Sequence, residues 1–296
     1  MSGQGSLASL PSPPVVVSPD QEDPQMNDRK KVTVPDLARW RESGRRISMI
    51  TAYDVVFARI ADEAGVDMIL VGDSVGMVVQ GHRNTIPVEL RDMEYHVRNV
   101  ARAHPKALIV GDLPFGSYQV GPHQAVESAI ALTKAGAECV KLEGGVHMAD
   151  SIAAISRVDI PVVGHIGLTP QSFHRMGGHR VQGRTDGYEA GSRQRLLEDA
   201  YAVEQAGACA MVVEGVPMDL AAEITMKVSI PTIGIGAGQR CDGQVLVLHD
   251  VLGLSESNLR FVKRYAELRE ASIAAIREYV GEVTDGSWPD EEHSFS

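Results

Sequence analysis

Seven polar residues of this sequence stand where a short apolar run ends: Asp54, Asp73, Asp112, Lys141, Glu143, His165 and Glu214. Short apolar runs bounded by turn signals read as buried strands, so these residues mark strand C-termini. Lys141 and Glu143 are two apart, and strand alternation points both to one side while Leu142 points to the other. Several carboxylates around one lysine repel one another unless a proton or a cation compensates. Oxygen-only ligands favour a hard ion such as Mg²⁺, which usually takes one or two carboxylates and leaves the rest to water and substrate. An acid in such a place can instead cap the following helix, because Asp is a favoured N-cap. At any single position the two readings stand side by side.

The elements that must carry these residues repeat. Ala64-Gly65-Val66-Asp67 leads into Met68-Ile69-Leu70-Val71 and ends on Asp73. Ala135-Gly136-Ala137-Glu138 leads into Cys139-Val140-Lys141-Leu142 and ends on Glu143, and Ala206-Gly207-Ala208-Cys209 leads through Ala210-Met211-Val212-Val213 to Glu214. Each copy is a helix end, a Gly suited to the left-handed cap, an apolar strand and a carboxylate. Further strands are expected at 48–54, 107–112, 161–167, 231–238 and 244–248. Helical patterns fill the intervals: 57–64, 90–103, 148–157, 218–227, 193–207 (Leu196, Ala200, Val203 on one face), 123–135 (Val126, Ala129, Ile130, Thr133) and 258–280 (Phe261, Tyr265, Leu268). Eight strands alternating with helices predict an α/β fold, a single (β/α)8 barrel of the TIM type, after a short N-terminal helix. An open doubly wound sheet is the structural alternative, weakened because no GxGxxG follows the first strand.

The chain has 296 residues and a formal charge of −11, of which residues 1–28 carry −4 and residues 281–296 carry −5, leaving −2 between them. The Pro- and Ser-rich start cannot bury enough surface to order itself, so residues 1–31 read as a disordered tail, 32–280 as the catalytic barrel and 281–296 as an acidic tail. Clustered Lys and Arg are missing and aromatics make up only 5 %, which argues against nucleic-acid binding. No apolar run is long enough for a membrane span. Cys139, Cys209 and Cys241 are odd in number and far apart in sequence, and form neither a disulfide framework nor a zinc motif. A reducing, cytoplasmic setting is expected.

Several segments together resemble one family. They are Val71-Gly72-Asp73-Ser74, Asp112-Leu113-Pro114-Phe115-Gly116-Ser117-Tyr118, Val140-Lys141-Leu142-Glu143-Gly144-Gly145, and His165-Ile166-Gly167-Leu168-Thr169-Pro170-Gln171-Ser172. Val181-Gln182-Gly183-Arg184, the run from Ile233 to Gly238, and Cys241-Asp242-Gly243-Gln244 extend the likeness from about Thr51 to Tyr265. In this order they resemble ketopantoate (3-methyl-2-oxobutanoate) hydroxymethyltransferase, of pantothenate biosynthesis.

The resemblance implies a Mg²⁺-dependent (β/α)8 enzyme, with one ion per subunit, that transfers a hydroxymethyl group from 5,10-methylenetetrahydrofolate to 3-methyl-2-oxobutanoate, giving 2-dehydropantoate (ketopantoate). It also implies a homodecamer of two pentamers. The family's metal ligands fall on Asp73, Asp112 and Glu143, its substrate contacts on Asp73, Ser74, Asp112 and Lys141, and its general base on Glu214. A C3 proton must leave the oxo acid and charge must move onto the keto oxygen as an enolate. The ion would act as a Lewis acid there, with Lys141 adding positive charge and Ser74 a hydrogen bond. His165 fits hydrogen bonding to substrate or to a site residue better than metal ligation.

Other residues have weaker claims. The segment 173–187 is long for a βα connection and is expected to cover the mouth, where Arg180 or Arg184 would meet either the acidic folate tail or a neighbouring subunit. The Gly-rich run 233–238 fits close backbone packing better than a phosphate site. A lyase or mutase of the phosphoenolpyruvate mutase and isocitrate lyase group is an alternative, but no cysteine-bearing catalytic loop of the isocitrate lyase kind is present. A non-catalytic binding barrel would predict broken site positions, and the five principal ones are intact.

Overall fold

Each of the expected apolar runs forms a strand in the computed structural model, which describes residues 29–295. The strands are β1 (Ile47–Thr51), β2 (Met68–Val71), β3 (Leu108–Asp112), β4 (Cys139–Glu143), β5 (Val162–Gly167), β6 (Ala210–Glu214), β7 (Thr232–Ile235) and β8 (Gly243–Leu246). They pair in sequence order, and β8 closes onto β1 to give a parallel barrel. Helices α1 (Val34–Ser43), α2 (Val55–Glu63), α3 (Val75–Val78), α4 (Leu90–Ala101), α5 (Pro122–Ala135), α6 (Ala149–Ser156) and α7 (Phe173–Met176) come first along the chain. They are followed by α8 (Arg193–Gln205), α9 (Met218–Lys227), α10 (Leu248–Val251) and α11 (Leu268–Asp285). The expected (β/α)8 barrel with a short N-terminal helix is the fold observed. Of the tail expected over residues 1–31, residues 1–28 lie outside the described residues, and Lys31 is bonded to Pro105 O, Ala107 O and Glu138.

Strand alternation does the positioning. Val110, Cys139, Val163 and Val212 point into the barrel and pack with Met68, Leu70 and Ile233, while Ile109, Val140, Leu142, Val162, Met211 and Val213 pack outward against the helices. The next inward positions toward the strand C-termini are Asp112, Lys141 with Glu143, His165 and Glu214. Register then sets Asp112 opposite Lys141 and Glu143 opposite His165. The repeated glycines work as expected: Gly65, Gly136 and Gly207 all have positive φ just after a helix. At Gly136 a Cβ would also lie 2.4 Å from Ala101 Cβ, so the helix–strand turn has no space for a side chain.

The opposite end is closed by α1. Thr33 and Asp36 form its capping box, Gly44 ends it in the left-handed conformation, and Leu37 is buried with the residues that fill the barrel interior. Three acids immediately before strands are clamped here. Asp67 accepts from Arg45 at 2.7 Å and from the Ser48 amide and hydroxyl, both at 2.9 Å. Glu138 accepts from Lys31 at 2.6 Å and the Ile109 amide at 2.8 Å. Asp242 pairs with Arg41 and accepts from the Thr232 amide at 2.9 Å.

Two helical expectations change. In α5 the buried face is Ala125, Ser128, Ala129 and Leu132, whereas Ile130 is exposed. The small residues lie against the neighbouring elements, and a pattern weighted by side-chain size misses them. The segment from 258 to 267 is not helical, and Phe261 and Tyr265 are exposed outside α11. Its backbone is used elsewhere: the Tyr265 amide donates to Val251 O and the Leu268 amide to Leu252 O. Ser255 and Ser257 both donate to Asp250. Cys139 and Cys209 are free but hydrogen-bonded to each other, which together with burial holds the Cys139 thiol protonated.

Candidate active site

At the C-terminal mouth, Lys141 Nζ lies 2.8 Å from Asp112 Oδ1 and 3.4 Å from His165 Nδ1. His165 Nε2 lies 3.1 Å from Glu214 Oε2, and its Nδ1 is 3.6 Å from Glu143 Oε1. The Asp73 amide donates to Asp112 Oδ2 at 3.2 Å, which brings the end of β2 beside the end of β3. All of these groups except Glu214 are buried, and Glu214 has a side chain 18 % exposed. The structure therefore gathers Asp73, Asp112, Lys141, Glu143, His165 and Glu214 in one place. Ser74 sits at the rim, where its hydroxyl is 2.8 Å from Tyr53 OH.

Charge at the mouth is unbalanced. Four carboxylates share one lysine, and burial makes each unpaired charge expensive. Burial, then the nearby Asp112, raise Asp73 to about 7, partly opposed by Lys141 and Gln171. Burial also holds Glu143 well above the usual carboxylate range; Lys141 opposes the shift, and Asp73 and Asp112 add to it. Burial pushes Glu214 up to about 7 against the pull of Lys141 and His179. Lys141 is pulled down by burial but pushed further up by Asp112, Glu143 and Asp73, so it remains a cation. Burial and Lys141 keep His165 neutral. An ammonium offers only protons, so the His165 Nδ1 facing it is the lone-pair nitrogen and the ring proton sits on Nε2, toward Glu214.

Two residues that sequence reasoning gave no role connect the cluster. Gln171 donates from Nε2 to Asp73 Oδ2 and to Leu113 O, both at 2.9 Å, and its amide donates to Glu143 Oε2 at 3.0 Å. Tyr118 OH donates to Gln171 Oε1 at 2.6 Å and accepts from the Glu143 amide at 3.1 Å. Gln171 thus spaces two carboxylates, and Tyr118 fixes Gln171. Tyr118 lies in a loop and Gln171 in a short 3-10 turn (Pro170–Ser172), both a few residues past a strand end and inside segments that carry the family resemblance, and that position was the available signal.

The acidic set leaves capacity for a cation. Glu143 Oε1 has no hydrogen-bond partner, and Asp112 Oδ1 meets only the Lys141 ammonium. Among the described residues no three His, Cys, Asp or Glu side chains converge into a preformed cage. An ion that takes one or two carboxylates and completes its shell from water and substrate fits this donor set; a structural metal with all-protein ligands does not.

The other candidates resolve differently. Asp54 is an N-cap, accepting from the amides of Val56 at 2.8 Å and Phe57 at 2.9 Å. The run 233–238 is a packing device: a Cβ on Gly238 would lie 2.5 Å from Met218 Cβ. The segment after β5 forms α7 and then continues as loop to α8. Arg180 and Arg184 are exposed within that loop and make no contact with the acidic cluster.

Parallel strands closed into a barrel, with acids and a lysine meeting at their C-terminal ends, define a (β/α)8 enzyme, because that face is where such barrels do chemistry. Residues 31–291 match the family described as ketopantoate hydroxymethyltransferase. The 3-methyl-2-oxobutanoate hydroxymethyltransferase of Trichlorobacter lovleyi is 55 % identical over 270 residues, spanning 90 % of this chain and 100 % of that protein. The Geobacter sulfurreducens enzyme of the same name is 56 % identical over 89 % of this chain and 98 % of its own, and that of Ignicoccus hospitalis is 52 % identical over 88 % and 98 %. Solved structures share the fold: phosphonopyruvate hydrolase with oxalate and Mg²⁺ superposes with a TM-score of 0.57 at 14 % identity, over 90 % of this chain and 92 % of that one. A 2,3-dimethylmalate lyase gives 0.56 at 17 % identity, over 88 % and 91 %. This chain belongs to the ketopantoate hydroxymethyltransferase family and is a hydroxymethyltransferase of pantothenate biosynthesis.

Proposed function

We propose that the mouth binds 3-methyl-2-oxobutanoate between Lys141, Asp112 and Ser74, that Glu214 removes its C3 proton, and that the resulting carbon nucleophile takes up the methylene carbon of 5,10-methylenetetrahydrofolate, which with one water becomes the hydroxymethyl group as tetrahydrofolate leaves. The observation that carries this reading is Glu214: a largely but not fully buried carboxylate with no cation paired to it, raised to about 7, beside the neutral His165. A general base works best when its pKa is near the operating pH. His165 backs the carboxylate as a neutral ring, its Nε2 3.1 Å from Glu214 Oε2 without the alignment of a hydrogen bond. Lys141 supplies positive charge for the oxo acid's carboxylate or for the enolate oxygen. Asp73 and Asp112, with Glu143 directly or through water, would hold one Mg²⁺, which when bound supplies Lewis-acid stabilisation at the keto oxygen. Gln171 keeps Asp73 and Glu143 apart at a fixed spacing.

The test is ketopantoate formation from the two substrates, with and without Mg²⁺, together with solvent exchange of the C3 proton in the absence of folate. Exchange by Glu214→Gln at the wild-type rate would remove Glu214 as base. Unchanged turnover after chelation would remove the metal.

A cytoplasmic homo-oligomer, the decamer of the family, completes the proposal. Among the described residues no helix is long and apolar enough to cross a membrane. Helix α11 buries none of its residues and exposes Ile276, Tyr279, Val280 and Val283. The outer face of β1 and β8 is a groove of about 300 Å³ lined by residues including Ile50 and Leu246. An uncovered helix and an uncovered barrel face in one chain support burial between subunits. Sedimentation of the full chain as a monomer at micromolar concentration would dismiss it.

A further inference from the structure

A cleft of about 390 Å³ lies beside the mouth, walled by the turn after β4, the start of α8 and the segment 175–191. It adjoins the acidic cluster at two points. Gly144 follows Glu143 directly, and Thr169 precedes the Pro170–Gln171 turn whose amide holds Glu143. Its lining has two characters. Ile166, Met176 and Leu196 are apolar, whereas Arg175, Arg195 and Asp199 bring charge. Arg195 lies 3.4 Å from Asp199 Oδ1, which also accepts from the Val146 amide at 2.9 Å. Arg175 is exposed and makes no ion pair or hydrogen bond among the described residues. Arg180 and Arg184, the arginines suggested by the sequence, do not line the cleft. The walls meet closely: a Cβ on Gly145 would lie 2.1 Å from the Asp199 carboxylate.

The proposed reaction has two substrates, and the groups at the mouth are all used by the small oxo acid. The donor must bring one carbon to the mouth while its larger remainder lies outside, and ligand sites usually measure about 300–1,000 Å³. We propose that this cleft holds the one-carbon donor, a tetrahydrofolate. Its ring lies against Met176 and the glycine backbone of Gly144, Gly145 and Gly167, with Ile166 and Leu196 forming the floor beneath. The Arg195–Asp199 pair offers a donor and an acceptor side by side to the ring's polar edge, and Arg175 takes a glutamate carboxylate. This assignment rests on the reaction proposed above, and its test separates the two.

Tetrahydrofolate is titrated calorimetrically into the full-length wild type, Arg175→Glu and Arg175→Lys, which requires no turnover. The expected result is binding by the wild type, weakened about tenfold or more by Arg175→Glu and largely retained by Arg175→Lys, since a charged hydrogen bond is worth that factor. The KM for methylenetetrahydrofolate should rise in parallel, with the KM for the oxo acid unmoved. Affinity within twofold of wild type in Arg175→Glu overturns the assignment, as does a wild type that exchanges the C3 proton but binds no tetrahydrofolate. Altered sedimentation with unaltered folate affinity would give Arg175 to a subunit contact and overturn it equally. Arg175-dependent folate binding without any proton exchange keeps the cleft and overturns Glu214 as the base.

Discussion

The two ends of the barrel use the same residue types to opposite effect. At the N-terminal end Asp67, Glu138 and Asp242 each have their own cation and at least one backbone amide, Arg45, Lys31 and Arg41 being the partners. At the C-terminal end four acids face one lysine, and Glu143 keeps an oxygen without a partner. A satisfied acid at a strand start fixes the chain, and its energy is spent in folding. An unsatisfied acid at a strand end leaves interaction energy for whatever arrives later. The ends differ in how many partners each acid has, not in whether they carry acids.

That contrast can be broken from either side. The largest effect is expected at the mouth: Asp112→Asn removes the partner of Lys141 and a proposed metal ligand, and should lower kcat/KM by about 10³-fold or more while the protein stays folded. Retained turnover in a steady-state assay would put Asp112 with the structural acids. Glu214→Gln should cost about 10²–10⁴ in kcat and in C3 proton exchange.

The wild-type pH profile sharpens the same point. The base acts deprotonated, so activity should fall as pH drops below about 7, and that limb should vanish in Glu214→Gln. Stability runs the other way. With a folded pKa of about 7 against an unfolded value near 4.5, the folded state keeps a proton that the unfolded chain has lost, and raising pH through this window destabilises the fold. Because the Glu214 side chain is partly exposed, about 1–3 kcal/mol is a fair range for the gain in stability of Glu214→Gln over wild type at pH 8 by denaturant melts.

At the other end, Asp242→Ala should lower unfolding free energy by about 2–4 kcal/mol by taking the counter-charge from Arg41, which keeps only backbone carbonyls, and the acceptor from the Thr232 amide, with kcat per folded molecule unchanged. Smallest of all, Asp54→Ala removes only a helix cap and should cost about 1 kcal/mol in thermal stability, with no change in KM for either substrate.

What was legible in the sequence follows from periodicity. Asp112, Lys141, Glu143, His165 and Glu214 sit at fixed steps along short strands, so alternation alone sends them to one side and the barrel brings them together. Tyr118 belongs to a loop and Gln171 to a single 3-10 turn, too short for a period to relate a residue to its direction, and their roles come from tertiary contacts between sites 53 residues apart. Asp67 and Glu138 lay inside the repeated phrase yet gave no signal, since an acid before a strand looks like any solvated residue until its cation arrives from elsewhere in the chain. The misread stretch 258–267 has helical spacing, but its Tyr265 amide bonds to Val251 O instead, and the helix starts only at Leu268.

The closed end has a practical consequence. Lys31 bonds to Pro105 O, Ala107 O and Glu138 beside the starts of β3 and β4, so the chain enters the barrel from beneath. A bead, a chip or a fused partner joined directly to the backbone nitrogen of Lys31 is anchored on the face away from the mouth. An enzyme shortened to begin at Lys31 and immobilised there therefore stands with its opening toward the solution, where both substrates can reach it.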